Sequence, residues 1–344
     1  MKKYILFMVS AIVFAFTSCT SSEDIEINDI QSKYQAVFKV NPSTVVEPFT
    51  WQVTEGELST IPTGNKLRVR ALIYDNNGML VYEHSEQFSN YNVLMDFSTE
   101  LEKGEYTLIA ISDVINPNPS EGQVAEFWVL GDYQHLNETK ITSASKIGYQ
   151  REILGVVNKK ISISSTNNEY VIDIKPAGAV VYTLYNAILN YEDIKRYQLN
   201  ITQVVNEATF DSNGNLIGSL ENNNNEYDWR LNIAYPNYDP EYVYIINYVL
   251  PQKNLRLRFA GYTYTGTDGD NQGSSWWFGK ELHVPSISAG DQFYFRIDVA
   301  DPGDEYSVEY GKVNGLTYPN TDSSSAFLKE SMSRGNVLYL KEFK

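Results

Sequence analysis

The chain has 344 residues and a formal net charge of −16, because 43 acidic side chains outnumber 27 basic ones. A surface this acidic repels a phosphate backbone, and we therefore predict no nucleic-acid partner. Aromatic residues make up 13% of the chain, and Tyr, Thr, Val and Ile gather in short runs that favour β-strands.

The first residues have the pattern of an export signal. Two lysines precede an apolar run at 4–16, which is shorter than the ~20 apolar residues that span a bilayer. Thr17 and Ser18 are small, as a lipoprotein signal peptidase requires before the cysteine, although the phenylalanine before them replaces the commoner leucine. We predict a signal peptide over 1–18 and lipidation of Cys19, the single cysteine. The alternative is an ordinary signal peptide with an incidental cysteine.

Residues 19–34 form a polar, acidic linker. The stretch 20–26 looks like the export tag that sends lipoproteins of Bacteroidales-type bacteria to the outer face of the outer membrane, and the alternative is a solvated spacer. Two acyl chains are enough for stable anchoring. We therefore predict a cell-surface outer-membrane lipoprotein that is held in the lipid through Cys19.

Short strands separated by Gly, Pro and Asn turns follow the linker, and we predict a first β-sandwich over 35–158. Its first strand is 35–40. A hairpin at 66–88 shows period-two alternation, closed by a turn at 75–78 that ends in Asn-Gly. The irregular loop at 116–120 carries two prolines.

The pattern restarts after residue 158, and we predict a second β-sandwich over 159–322. A continuous apolar run at 180–188 is typical of a core strand, and a hairpin spans 207–220. The tail at 323–344 contains a candidate terminal strand at 336–340. The predicted fold class is therefore all-β, with two tandem sandwiches.

No catalytic pattern is present in the sequence. The three histidines, His84, His135 and His283, stand in no metal-binding spacing and beside no nucleophile motif, so we expect surface or sheet roles for them. Phosphate-binding and dinucleotide-binding glycine patterns are also missing from the sequence. We therefore predict neither enzymatic activity nor a cofactor.

One acidic loop resembles the start of a calcium site. Asp268 and Asp270 open a D-x-D-x-x-G pattern, but Gly279 stands where a calcium loop needs a bidentate glutamate. We favour a plain acidic turn, and a loose Ca²⁺ site is the alternative.

Three aromatic residues, Trp276, Trp277 and Phe278, come directly after that loop. Exposed rings can stack on sugars or anchor a partner, whereas an alternating trio more often packs in a core. We favour core packing and keep a ligand or partner platform as the alternative.

Two segments carry a resemblance to a known family. Residues 67–81 run as a strand into a D-x-x-G turn, and 101–110 read L-x-x-G-x-Y-x-L-x-A. These two segments, together with a similar pattern at 287–295, resemble Bacteroidales fimbrillin-like proteins and are most similar to the FimB-type anchor subunits. The resemblance implies two transthyretin-like sandwiches without catalysis, acting in cell adhesion as part of a fimbrium.

The same resemblance implies assembly by strand exchange. Polymerising members are cut after a basic residue near the first strand, and a neighbouring subunit's strand fills the groove that opens. The first arginine here is Arg68, inside a predicted strand, although Lys33 and Lys39 precede it. We therefore predict an uncut anchor or assembly subunit, which pairs with other fimbrial subunits through 35–40 or 336–340.

Two other functions compete with this prediction. A glycan-binding lipoprotein of a polysaccharide-uptake system would use Trp276, Trp277 and nearby tyrosines as stacking platforms. A surface hydrolase would need convergent carboxylates, and the sequence singles out no pair among its 43 acids.

Overall fold

The structure is a computed structural model. It describes residues 32–45, 61–144, 153–166, 168–186, 194–202, 205, 207–212, 214, 216–218, 226–232, 242–263, 275–299, 306–312, 326–332 and 337–339. Apart from two short 3-10 turns, Ser43–Val45 and Leu136–Glu138, the regular elements of this described part are all strands. The all-β prediction is confirmed.

The first half of the chain contributes ten strands of the described part. They are β1 (Lys33–Asn41), β2 (Lys66–Tyr74), β3 (Leu80–Phe88), β4 (Met95–Glu102), β5 (Gly104–Ile115), β6 (Trp128–Gly131), β7 (Lys140–Ser143), β8 (Gly155–Ile163), β9 (Glu169–Asp173) and β10 (Lys175–Pro176).

The second half contributes the remaining described strands. They are β11 (Ala179–Asn186), β12 (Ile194–Thr202), β13 (Glu207–Phe210), β14 (Leu216–Gly218), β15 (Glu226–Asn232), β16 (Tyr242–Val249), β17 (Gln252–Thr263), β18 (Ser275–Ile287), β19 (Gln292–Val299), β20 (Tyr306–Lys312), β21 (Ala326–Met332) and β22 (Val337–Tyr339).

Two sheets of the first half pack face to face. The narrow sheet has the order β4-β1-β9 and the central sheet the order β10-β8-β5-β2-β3. Phe97 of the narrow sheet stacks on Tyr82 and His84 of the central sheet, with ring centroids 5.8 and 4.7 Å apart. These contacts place one part of the hydrophobic core between the two sheets.

Both faces of the central sheet are buried at its strands β2 and β5, although the alternation in β2 predicts only one apolar face. In β2 the apolar residues Leu67, Val69, Ala71 and Ile73 face the narrow sheet, as their alternation predicts. The intervening residues are buried as well, because a second layer covers the outer face. That layer is the bridging sheet, β14-β13-β7-β6, which takes strands from both halves of the chain.

The second half forms two five-stranded sheets in the described part. Their orders are β16-β11-β19-β20-β21 and β15-β12-β17-β18-β22. Most neighbours are antiparallel, whereas β11 with β19 and β18 with β22 are parallel. The short β22 occupies the edge beside β18 over three register pairs, from Glu281↔Val337 to His283↔Tyr339.

The predicted boundary at residue 158 falls inside β8. This strand pairs with β5, β9 pairs with β1, and β10 pairs with β8, so the sheets of the first half extend to Pro176. The strand pattern begins again after residue 158, but the strands that follow, up to β10, join the sheets of the first half. A turn signal shows where one strand ends, and it does not tell whether the next strand joins an existing sheet or begins another. The division into two independent sandwich domains remains a prediction.

Candidate functional site: the first strand and its groove

Strand β1 lies in the middle of the narrow sheet. It runs antiparallel to β4, from Lys33↔Glu102 to Val40↔Met95, and parallel to β9, from Val37↔Glu169 to Asn41↔Asp173. Because both of its edges are paired, β1 fills a groove whose two walls are β4 and β9.

Alternate side chains of β1 point into the core. Ala36, Phe38 and Val40 are fully buried, as the period of two along a strand predicts. At the entrance to β9, the Val37 amide donates to the Asn168 carbonyl oxygen at 2.8 Å. The groove therefore holds β1 by backbone hydrogen bonds and by apolar burial together.

A ladder of stacked rings crosses the groove at its centre. Phe38 stacks on Phe97 of β4, with centroids 4.9 Å apart and planes 16° apart. On its other side it stacks on Tyr170 of β9 at 5.4 Å and 19°. Each of these residues is the register partner of Phe38 on its strand. The Phe38 ring is thus held between one ring from each wall.

The outward face of β1 is basic and its β4 neighbour is acidic. Lys33 lies opposite Glu102, and Lys39 lies opposite Asp96. Opposite charges at cross-strand positions contribute roughly 0.2–1 kcal/mol each. The outward face therefore adds a modest electrostatic preference to the fit of the buried face.

A buried ion cluster lies on the other side of the central sheet. The Arg68 guanidinium donates to both carboxylate oxygens of Asp113, at 2.7 and 3.1 Å, and to Glu126 Oε1 at 2.6 Å. The side chain of Asp113 is 0% exposed, and Arg70 approaches it at 3.8 Å. This cluster ties the loop that precedes β6 to strands β2 and β5.

The ion cluster changes the titration of its members. The hydrogen bond from Arg68 lowers the pKa of the Glu126 carboxyl below its ordinary value, although partial burial opposes the shift. Burial lowers the pKa of Arg70, and the charge of Asp113 opposes that shift only in part. The hydrogen bonds of Arg68 to two carboxylates are typical of a structural clamp.

The sequence did not indicate this cluster, because period-two alternation gave β2 one clearly apolar face and assigned no environment to the face that carries Arg68 and Arg70. One signal could have indicated it. Asp113 stands inside the long apolar run of β5, where a buried carboxylate requires a charged partner.

The predicted site residues lie in different parts of the chain. Cys19, Asp268 and Asp270 lie outside the described residues. The backbone of Trp276, Trp277 and Phe278 belongs to β18. Gly261 pairs with Phe278 and Tyr262 with Trp276, so Trp277 is the extra residue of a β-bulge. Core packing of these three rings stays a prediction, and so does its alternative, a ligand or partner platform.

The described histidines lie in sheets and turns. His84 Nε2 lies 2.8 Å from Glu86 Oε1, and the His135 carbonyl oxygen accepts the Thr139 hydroxyl at 2.9 Å. The backbone of His283 lies opposite Tyr339.

Within the described ranges, no group of three or more His, Cys, Asp or Glu side chains is arranged to hold a metal ion. The same part of the chain contains no helix of the length and hydropathy needed to span a membrane.

No family model and no curated protein sequence matches the chain. Its structure is similar to that of a fimbrial assembly protein from Parabacteroides distasonis, with 10% identity and a TM-score of 0.39 over 87% of this chain and 99% of the other. It is also similar to a C-terminally truncated tip fimbrial protein from Porphyromonas gingivalis, with 10% identity and a TM-score of 0.40 over 83% and 100% of the two chains.

A third similar structure is described as that of a candidate polysaccharide-binding protein from Bacteroides thetaiotaomicron. It shares 13% identity and a TM-score of 0.46, over 79% of this chain and 95% of the other. The similar structures therefore include fimbrial and cell-adhesion proteins of Bacteroidales, the group to which the sequence resemblance pointed.

Proposed function

We propose that this chain is a non-enzymatic surface lipoprotein that anchors a fimbrium to the outer membrane and so serves cell adhesion. One observation carries the proposal. The strand nearest to the predicted lipidation site, β1, fills the groove between β4 and β9 with three fully buried side chains. No arginine stands between Cys19 and β1.

The proposed mechanism joins the tether to the core. Only the stretch 20–32 separates Cys19 from β1, so an extended linker reaches at most about 50 Å from the acyl chains to the sandwich. A subunit that keeps β1 has its own groove filled and cannot accept a neighbour's strand there. Such a subunit ends the filament at the membrane.

Pairing with the next subunit then falls to another part of the chain, and we propose the tail around β22. This strand is short, lies at a sheet edge and makes few register pairs with β18. An edge strand of this kind offers main-chain hydrogen bonds that can form with another chain instead. We further propose that the two halves are transthyretin-like sandwiches, as the sequence resemblance implies.

The first experiment asks whether β1 is retained. Surface protein from the native organism is digested, and its N-terminal peptide is identified by mass spectrometry. We expect a peptide that begins at an acylated Cys19 and continues into β1. A mature terminus beyond Asn41 would overturn the anchor role, because β1 would then have been removed from its groove.

The second experiment separates tethering from assembly. We expect Cys19→Ala to release the protein from membranes, whereas the matched variant Ser22→Ala stays in the membrane fraction. Retention of Cys19→Ala in membranes would contradict lipidation at this residue.

The third experiment examines the filaments. Deletion of the chain is expected to detach filaments from cells, and immunolabelling should place the chain at the filament base. If filament number and attachment do not change on deletion while oligosaccharides shift the tryptophan fluorescence of the purified chain, the glycan-binding alternative at Trp276, Trp277 and Phe278 replaces the fimbrial one.

A further inference from the structure

The bridging sheet joins two parts of the chain that are far apart in sequence. Its strands β6 and β7 belong to the first half, whereas β13 and β14 form a hairpin of the second half. Strand β13 pairs antiparallel with β7, from Glu207↔Thr142 to Thr209↔Lys140. The second half thus adds strands to a sheet that the first half begins.

The hairpin also completes the core of the first half. Ala208 and Phe210 of β13 are 1% and 3% exposed and belong to the same hydrophobic cluster as the residues of β2 and β5. Gly214, at the hairpin turn, lies so close to the central sheet that a Cβ there would be 3.0 Å from Ile109 and 3.1 Å from Asn158. The turn is therefore seated on the outer face of β5 and β8.

A second contact joins the halves beside the hairpin. The Tyr248 hydroxyl of β16 donates to the Leu154 carbonyl oxygen at 2.7 Å and accepts from the Gly178 amide. Its ring meets Trp128 of β6 edge-on, with centroids 6.1 Å apart. Within the second half, the Val205 amide near the start of the hairpin donates to Gln252 Oε1 at 2.9 Å and ties the hairpin to β17.

We infer that the 207–218 hairpin is an intramolecular strap through which the second half completes the sheet and the core of the first half. Without the strap, the edge of β7 and the apolar outer face around Ile109 would meet water, and both are costly to leave uncovered. The first half then does not hold its native structure alone, and the described strands of both halves unfold in one transition. This inference concerns folding and stands whether or not the chain is a fimbrial subunit.

Hydrogen–deuterium exchange along a denaturant series tests the inference on the full mature chain. Amides of β5 and β8 in the first half and of β11 and β16 in the second half are expected to lose protection at the same denaturant concentration. Loss of protection in β11 and β16 while β5 and β8 stay protected would overturn the strap, and this result needs no variant.

A pair of variants on the hairpin tests the strap directly. Phe210→Ala removes a buried ring, and we expect it to lower the melting temperature by ~5–10 °C and to speed exchange in β5 and β7 of the first half. Ile217→Ala changes a half-exposed residue of the same hairpin and should shift the melting temperature by less than ~2 °C. If Phe210→Ala speeds exchange only in the second half, the hairpin does not complete the first half and the inference fails.

Discussion

The buried ring at the centre of β1 gives the sharpest prediction for the groove. Phe38 is 0% exposed and stacks on Phe97 and Tyr170, at 4.9 and 5.4 Å. Truncation of a buried phenylalanine to alanine costs about 3–5 kcal/mol, and the loss of two stacked ring contacts places Phe38 in the upper half of that range. We therefore expect Phe38→Ala to lower the free energy of unfolding by about 4–5 kcal/mol.

The assay is equilibrium denaturation, with the free energy of unfolding obtained from the midpoint and the slope. The matched control is Val37→Ala, because Val37 is the neighbouring residue of β1 on the outward, half-buried face. We expect this control to cost less than about 1 kcal/mol. A loss for Phe38→Ala no larger than the loss for Val37→Ala would refute the reasoning, since it would mean that β1 is not a core strand.

Three further predictions concern the central sheet. Asp113→Asn removes the negative charge to which the buried Arg68 guanidinium donates its hydrogen bonds, and denaturation should show a free energy of unfolding lower by about 3 kcal/mol. The pKa of Glu126 is lowered from 4.5 in the folded state, so the ionised carboxylate stabilises the fold at neutral pH. This stability should be lost as the pH falls through the folded-state pKa of Glu126. In Glu126→Gln, the free energy of unfolding should therefore depend less on pH in the acid range. Burial raises the pKa of the Tyr74 hydroxyl from 10.0 to about 12. As the pH rises, the unfolded chain therefore loses this proton before the folded chain does, and the free energy of unfolding should fall between pH 10.0 and about pH 12. In denaturation curves recorded across the alkaline range, Tyr74→Phe should reduce that fall, and an unchanged slope would contradict the assignment.

Local patterns in the sequence predicted the first strands well. The run at 35–40 predicted β1, and alternation with an Asn-Gly turn predicted the β2–β3 hairpin, because side-chain period and turn conformation depend on neighbouring residues. The same patterns did not predict which strands would be neighbours. The parallel pairing of β1 with β9 joins Val37 to Glu169, and no local feature of either strand selects the other.

The ion cluster shows a second limit of local patterns. Arg68 and Arg70 alternate with apolar residues, as the solvent face of a two-layer sandwich would. The bridging sheet covers this face of β2 and buries it, and two strands of that sheet come from a hairpin of the second half. A residue's burial depends on the layer that covers it, and this layer comes from 207–218, far along the chain.

Composition and local patterns account for the acidic character of the protein, its all-β class, the positions of several described strands and the export pattern that ends at Cys19. Each of these depends on composition or on residues within a few positions of one another. The position of β1 between β4 and β9, and the pairing of the 207–218 hairpin with β7, depend on contacts between residues far apart in the chain. Every strand offers the same backbone donors and acceptors, so its neighbours are selected by the packing of distant side chains such as Phe38 against Phe97 and Tyr170.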